Sequence, residues 1–363
     1  MPHAKTEITE IVTGLATLGF GDLRGCLLDP PPAVRNVDDA TWMSLLDAFD
    51  SGMHMTEFSR AWLNGRAFLA AADGLRGRVP LTVEWKGPHR QPGYDLVPAD
   101  LRIDHVYLVS CKYLSKILFN ASPWFLFVRL LADRKGAGGD WYLEVAPKEY
   151  QALYASLRRM MPGLPPHVED LDTAERAAIR RLLQEGWPEA ASDLYLQMCR
   201  EVAYESARRW SERLKETARR EEMLWRLLRL APAPYFVLGA SPAGSLRLRI
   251  LTPWDWRQEF SLAGFEVWPD AGAGQPVVRW RALVARRQHG DEVAVDGHVE
   301  IRWSHGRFGG HPEAKVYLDT PHEQVPGYAP LTPDHSVAVR QLGFALERDG
   351  HPDRKGATIV RVD

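Results

Sequence analysis

Net charge is nearly absent from this chain: 45 Lys and Arg stand against 47 Asp and Glu, leaving -2 over 363 residues. That excludes a protein that coats nucleic acid indiscriminately, but not one with a local basic cleft. Cysteine is scarce. Cys26, Cys111 and Cys199 are odd in number and far apart, which excludes a disulfide framework and suits a reducing compartment. Long apolar runs are missing as well. The most apolar stretch, 117–132, is broken by Asn120, Pro123 and Arg129, so it is too short to span a bilayer. The start, MPHAKTEITEIV, has no basic segment followed by an apolar one. The expectation is a cytoplasmic protein with no signal peptide and no membrane contact. No Gly-x-x-x-x-Gly-Lys-Ser/Thr motif occurs, so no P-loop is expected. His-Glu-x-x-His and Cys-x-x-Cys are absent, which argues against zinc, and there is no Gly-x-Ser-x-Gly elbow.

What is present reads as alternating helical and strand patterns. Residues 1–35 form a mixed lead-in ending at Pro30-Pro31-Pro32. A helix starting at Asp38-Asp39 carries Trp42, Leu45, Leu46 and Phe49 at helical spacing. A second runs from Thr56 to Asp73, then a strand from Leu81 to Trp85. Two short strands joined by a tight turn at Asp104-His105 follow, and a helix is expected from near Ser115. Residues 169–231 read as helical, with a capping box at Asp172 and Glu175 and a break at Gly186 and Pro188. From Pro232 onward short alternating strands take over, with a hairpin turn expected at Asp296-Gly297. The fold class is therefore α/β: a mixed sheet flanked by helices (1–165), a helical segment (166–231) and a β-rich C-terminal part (232–363).

The stretch from Pro98 to Lys112 carries the chemistry. Side chains alternate along a strand, so Ser110 and Lys112 share a face. A carboxylate at Asp100 beside a lysine suits a divalent metal acting on a phosphodiester. Pro98-Ala99-Asp100 and Ser110-Cys111-Lys112 together resemble the two halves of the PD-(D/E)XK nuclease motif, over about residues 50–135. The resemblance implies a restriction-endonuclease-like fold and metal-dependent hydrolysis of DNA. Asp100 and the Cys111 carbonyl would hold Mg²⁺ or Mn²⁺, and Lys112 would serve the attacking water. Ser110 stands where the family has an acid, which implies weaker metal binding. Glu57 is a candidate for the missing carboxylate; Asp104 and Asp95 are weaker ones. Such nucleases serve bacterial restriction and anti-phage systems, so DNA and protein partners of a defence complex are the implied partners. The rival reading is a catalytically inactive nuclease-fold subunit that binds DNA or acts as a scaffold.

Other features compete. Glu84-Trp85-Lys86 and Glu313-Ala314-Lys315 are literal Glu-x-Lys triplets, but the first lacks a preceding strand that carries an Asp, and the second precedes its strand, Val316-Tyr317-Leu318, where the family's triplet ends one. The C-terminal region interleaves Arg279, Arg281 and Arg302 with Trp280 and Trp303. Trp at alternate strand positions is expected in the core, while the Arg residues could form a phosphate-contacting face. The loop Ser304–Gly310 is polar and Gly-rich, as a phosphate-contacting loop can be. The Arg- and Glu-rich face between 205 and 222 is expected to be solvated and salt-bridged.

Overall fold

The computed structural model describes residues 2–87, 97–113, 117–131, 139–215, 219–242, 244–288 and 290–333. Helices α1 (Pro2–Ala16) and α2 (Leu23–Leu28) precede a two-residue strand, β1 (Val34–Arg35). Then come α3 (Asp39–Asp50) and α4 (Met55–Ala70), followed by β2 (Val83–Trp85), β3 (Leu101–Ile103) and β4 (Tyr107–Tyr113). Next is β5 (Ile117–Ala121). The helical middle comprises α5 (Pro123–Phe127), α6 (Trp141–Val145), α7 (Pro147–Met160), α8 (Thr173–Leu182), α9 (Glu189–Leu214) and α10 (Arg220–Leu227). The last part holds β6 (Tyr235–Ser241), β7 (Gly244–Ile250), α11 (Pro253–Glu259), β8 (Phe260–Pro269), β9 (Val277–Arg286), β10 (Glu292–Arg302), β11 (Glu313–Leu318) and β12 (Tyr328–Pro330).

The protein is α/β, as expected. One mixed sheet runs β1-β2-β3-β4-β6-β7-β12. β2, β3 and β4 form an antiparallel meander, and β4 then pairs parallel with β6. A parallel pair needs a crossover connection, and here everything from β5 to α10 supplies it. The second sheet, β5-β11-β10-β9-β8, is antiparallel throughout. β6 and β7 belong to the first sheet, and β5 closes the edge of the second.

Local chemistry explains most elements. Asp38 accepts a hydrogen bond from the Thr41 backbone and caps α3, and Asp172 and Glu175 form the expected capping box on α8. Asp104 and His105 both adopt positive φ, 48° and 58°, the two-residue turn that matches the twist of a hairpin.

The mixed lead-in contains α1, which buries Ile8, Ile11, Val12 and Leu15, each at most 1% exposed. Each contributes about 1.5–3 kcal/mol by leaving water. The helix expected near Ser115 is instead β5, because its residues pair with β11. Asp296-Gly297 is no turn. It lies inside β10, where a Cβ on Gly297 would stand 2.2 Å from the Trp280 ring. Glycine is there to let the indole cover the strand.

α1 packs at close range against both α4 and the sheet. A Cβ on Gly65 of α4 would meet the Thr13 carbonyl at 2.2 Å, and one on Gly14 would meet Val83 at 2.8 Å. A similar closeness holds β4 to β6. Gly239 pairs with Lys112, and an added Cβ would lie 1.7 Å from the Lys112 carbonyl oxygen. Gly239→Ala is therefore expected to lower unfolding free energy by about 3 kcal/mol or more in urea titrations. A loss below about 0.5 kcal/mol, the scale of an innocuous surface change, would contradict this packing.

Candidate active site

The site begins where a ladder ends. β3 and β4 pair from Ile103–Tyr107 to Leu101–Val109, and the Asp100 amide adds a last bond to the Val109 carbonyl at 2.8 Å. Beyond it β3 has no backbone to offer Cys111. The Asp100 carboxylate takes its place: Oδ2 accepts the Cys111 amide at 2.6 Å and the Ser110 hydroxyl at 3.2 Å. Among the described residues none donates to Oδ1. The amide and carbonyl of one strand residue point to the same side. The Cys111 carbonyl therefore also faces the side that β3 vacates, while the Lys112 carbonyl faces β6.

Thr9, Glu10, Asp100, Cys111 and Lys112 line one cleft of about 360 Å³, together with Lys5, Glu57 and Arg60. Glu10 comes from α1 and is steadied by the Trp85 indole, which donates to its Oε2 at 2.7 Å. Burial, aided by the charge of Asp100, pushes the Glu10 carboxyl up to about 8, against the pull of Trp85 and Lys112. Burial also raises Asp100, opposed by the Cys111 amide, Lys112 and the Ser110 hydroxyl. The Cys111 thiol is pushed well up by burial, so it stays protonated and only its backbone is available as a ligand. No carboxylate lies within ion-pair distance of Lys112 among the described residues.

Asp100, Ser110, Cys111 and Lys112 are thus brought together where β3 ends. Ser110 is buried, and its proton is committed to Asp100. Glu57 reaches the same cleft, but Lys5 holds it at 2.8 Å and lowers its proton affinity. The carboxylate that faces Asp100 is Glu10, which the sequence reading passed over. A signal was available: Thr6, Thr9, Glu10 and Thr13 form a polar stripe at helical spacing on a helix whose other face is aliphatic. Asp104 is removed from the site, bonded to Arg78 at 2.6 Å and to the Leu81 and Thr82 amides. Asp95 lies outside the described residues.

The competing features have structural partners. Glu84 is gripped by Arg102 and His105, and Glu313 takes the Ser304 hydroxyl. Arg279 pairs with Asp270, Arg281 with Asp296 and Arg302 with Glu300. Trp280 and Trp303 are core, as expected. The loop 304–310 is pinned by Phe308, which is fully buried and stacked on Trp303.

Among the described residues no three His, Cys, Asp or Glu side chains converge to hold a metal. Comparison with protein-family models, curated proteins and solved structures found no match.

Burial of Glu10 makes the protein's stability depend on pH. A carboxyl that keeps its proton to about 8 when folded, against 4.5 ordinarily, contributes stability that is fully present below about 4.5. That contribution is lost as pH rises through 8. Glu10→Gln should leave the melting temperature nearly unchanged at about pH 5 and raise it by several degrees at about pH 9. Equal shifts at both pH values would contradict burial of the charge.

Proposed function

We propose that this protein is a metal-dependent nuclease that hydrolyses DNA phosphodiesters, as part of a bacterial restriction or anti-phage system. The observation that carries the reading is the grouping of Glu10, Asp100 and Lys112 in one cleft at the point where β3 stops pairing with β4. The order of helix, three strands and later helices accords with the PD-(D/E)XK resemblance, although β5 is interposed.

The donor set fits Mg²⁺ or Mn²⁺. Asp100 Oδ1, the Glu10 carboxylate and the Cys111 carbonyl are all hard oxygen donors, the type these cations take. A metal bound there would polarise the phosphoryl group and lower the pKa of a water ligand. The protein's own groups do the rest. The Cys111 amide and the Ser110 hydroxyl orient the Asp100 carboxylate. Lys112 orients or deprotonates the attacking water and meets the phosphate charge. Glu10 must release its proton before it can act as a ligand, so metal affinity rises with pH. Glu10 thus compensates from α1 for the acid that Ser110 replaces in the motif.

A second reading is a catalytically inactive nuclease-fold subunit that binds DNA or acts as a scaffold. The lack of a third acidic ligand among the described residues favours it. The two separate in a metal titration of cleavage on plasmid and linear DNA. Asp100→Asn and Lys112→Met should each slow cleavage by about 100-fold or more, with the thermal melt little changed. Glu10→Gln should raise the Mg²⁺ concentration needed for half-maximal rate. Full activity in Asp100→Asn or Lys112→Met would remove the assignment, and absence of any cleavage at any metal concentration would leave the scaffold reading.

A further inference from the structure

Lys112 also lines a second, separate pocket, whose other residues include Arg229, His322, Tyr235, Tyr328 and Ser110. Three basic side chains converge there, and no carboxylate is among the lining residues. We propose that this pocket binds a phosphate group through Lys112, Arg229 and His322.

The local structure commits these residues to the place. Arg229 follows the last turn of α10, with φ 59° and the Leu230 amide bonded back to the Trp225 carbonyl at 2.7 Å. That is the position after a helix where glycine is the default, because a Cβ is disfavoured at positive φ. Here it is an arginine, whose guanidinium lies 5.6 Å over the Phe119 ring. No carboxylate among the described residues pairs with it. Tyr235 and Tyr328 donate their hydroxyls to the Arg229 and Leu228 carbonyls at 3.1 and 2.6 Å, so their rings are fixed as walls. His322 enters from the turn before β12. Burial, and to a lesser degree the charge of Lys112, lowers its proton affinity, with the exposed Glu323 opposing. Lys112 and Arg229 bring like charges into a half-enclosed space, and an oxyanion relieves their repulsion while the His322 ring offers an N–H. The pocket, about 30 Å³, admits one compact oxyanion and excludes a base or sugar. Two sources carry that chemistry: free phosphate, and the terminal phosphate of a nucleic-acid strand.

The test uses the full chain in EDTA, with no cleavage readout, so it stands apart from the nuclease reading. Inorganic phosphate at about 10 mM should raise the melting temperature by several degrees over chloride of equal ionic strength. Arg229→Gln and His322→Gln should each remove most of that shift. Arg229→Lys, which keeps the charge should the Gln variant fail to fold, should retain it. Asp100→Asn should also retain it, even if it abolishes cleavage. Displacement of phosphate by a 5′-phosphorylated oligonucleotide, but not by its 5′-hydroxyl counterpart, assigns the source to a strand end; displacement by neither assigns it to free phosphate. No phosphate shift in the wild type, or an undiminished shift in Arg229→Gln and His322→Gln, overturns the proposal.

Discussion

Two carboxylates, Glu10 and Asp100, share one half-buried cleft. Burial raises the cost of ionising both, and the charge of Asp100 raises it further for Glu10. The charges of Lys112 and Lys86, the Trp85 indole and the Cys111 and Ser110 donors offset it. A protein selected for stability alone would replace such a pair with apolar side chains. On the proposed reading a cation completes the arrangement, and the rest of the fold holds the two carboxylates in place.

That work is visible in the backbone. α1 crosses α4 at Gly65 and lies on β2 at Gly14, close enough that a methyl group at either position would force a shift. This closeness brings Glu10 down onto the end of β3. β3 itself pairs for only three residues, and its early end frees the Cys111 amide for Asp100. On the other side Gly239 lets β6 approach the Lys112 carbonyl. Behind the cleft, Asn64 ties the layers together, donating to the Tyr113 hydroxyl and the Gly239 carbonyl and accepting from Arg247. One buried amide thus joins α4, β4, β6 and β7.

The hairpin was legible from sequence because strand alternation and the Asp104-His105 turn are local properties. So were α3 and α8, whose caps lie within three residues of each other in the chain. Glu10 was not legible as a site residue, since its partner lies ninety positions away and only the α1–α4 crossing brings them together. β5 was misread because a short apolar run carries no clear period, and its strand identity depends on β11, almost two hundred residues later. Asp296-Gly297 shows the opposite failure: a strong local turn signal overridden by an indole that needs the glycine for packing. The pairing of Arg279, Arg281 and Arg302 with carboxylates was likewise hidden, because it depends on strand register.

The central claim is that Glu10 and Asp100 act as one cation site. Direct titration of the metal-free protein with Mn²⁺, followed by electron paramagnetic resonance at about pH 8, tests it most directly. The account predicts one tightly bound Mn²⁺ per chain, weakened at about pH 6 where Glu10 holds its proton. Glu10→Gln should weaken it at least tenfold, and Asp100→Asn should abolish it. Mn²⁺ binding that is absent from the wild type, or that survives both substitutions, would contradict the account.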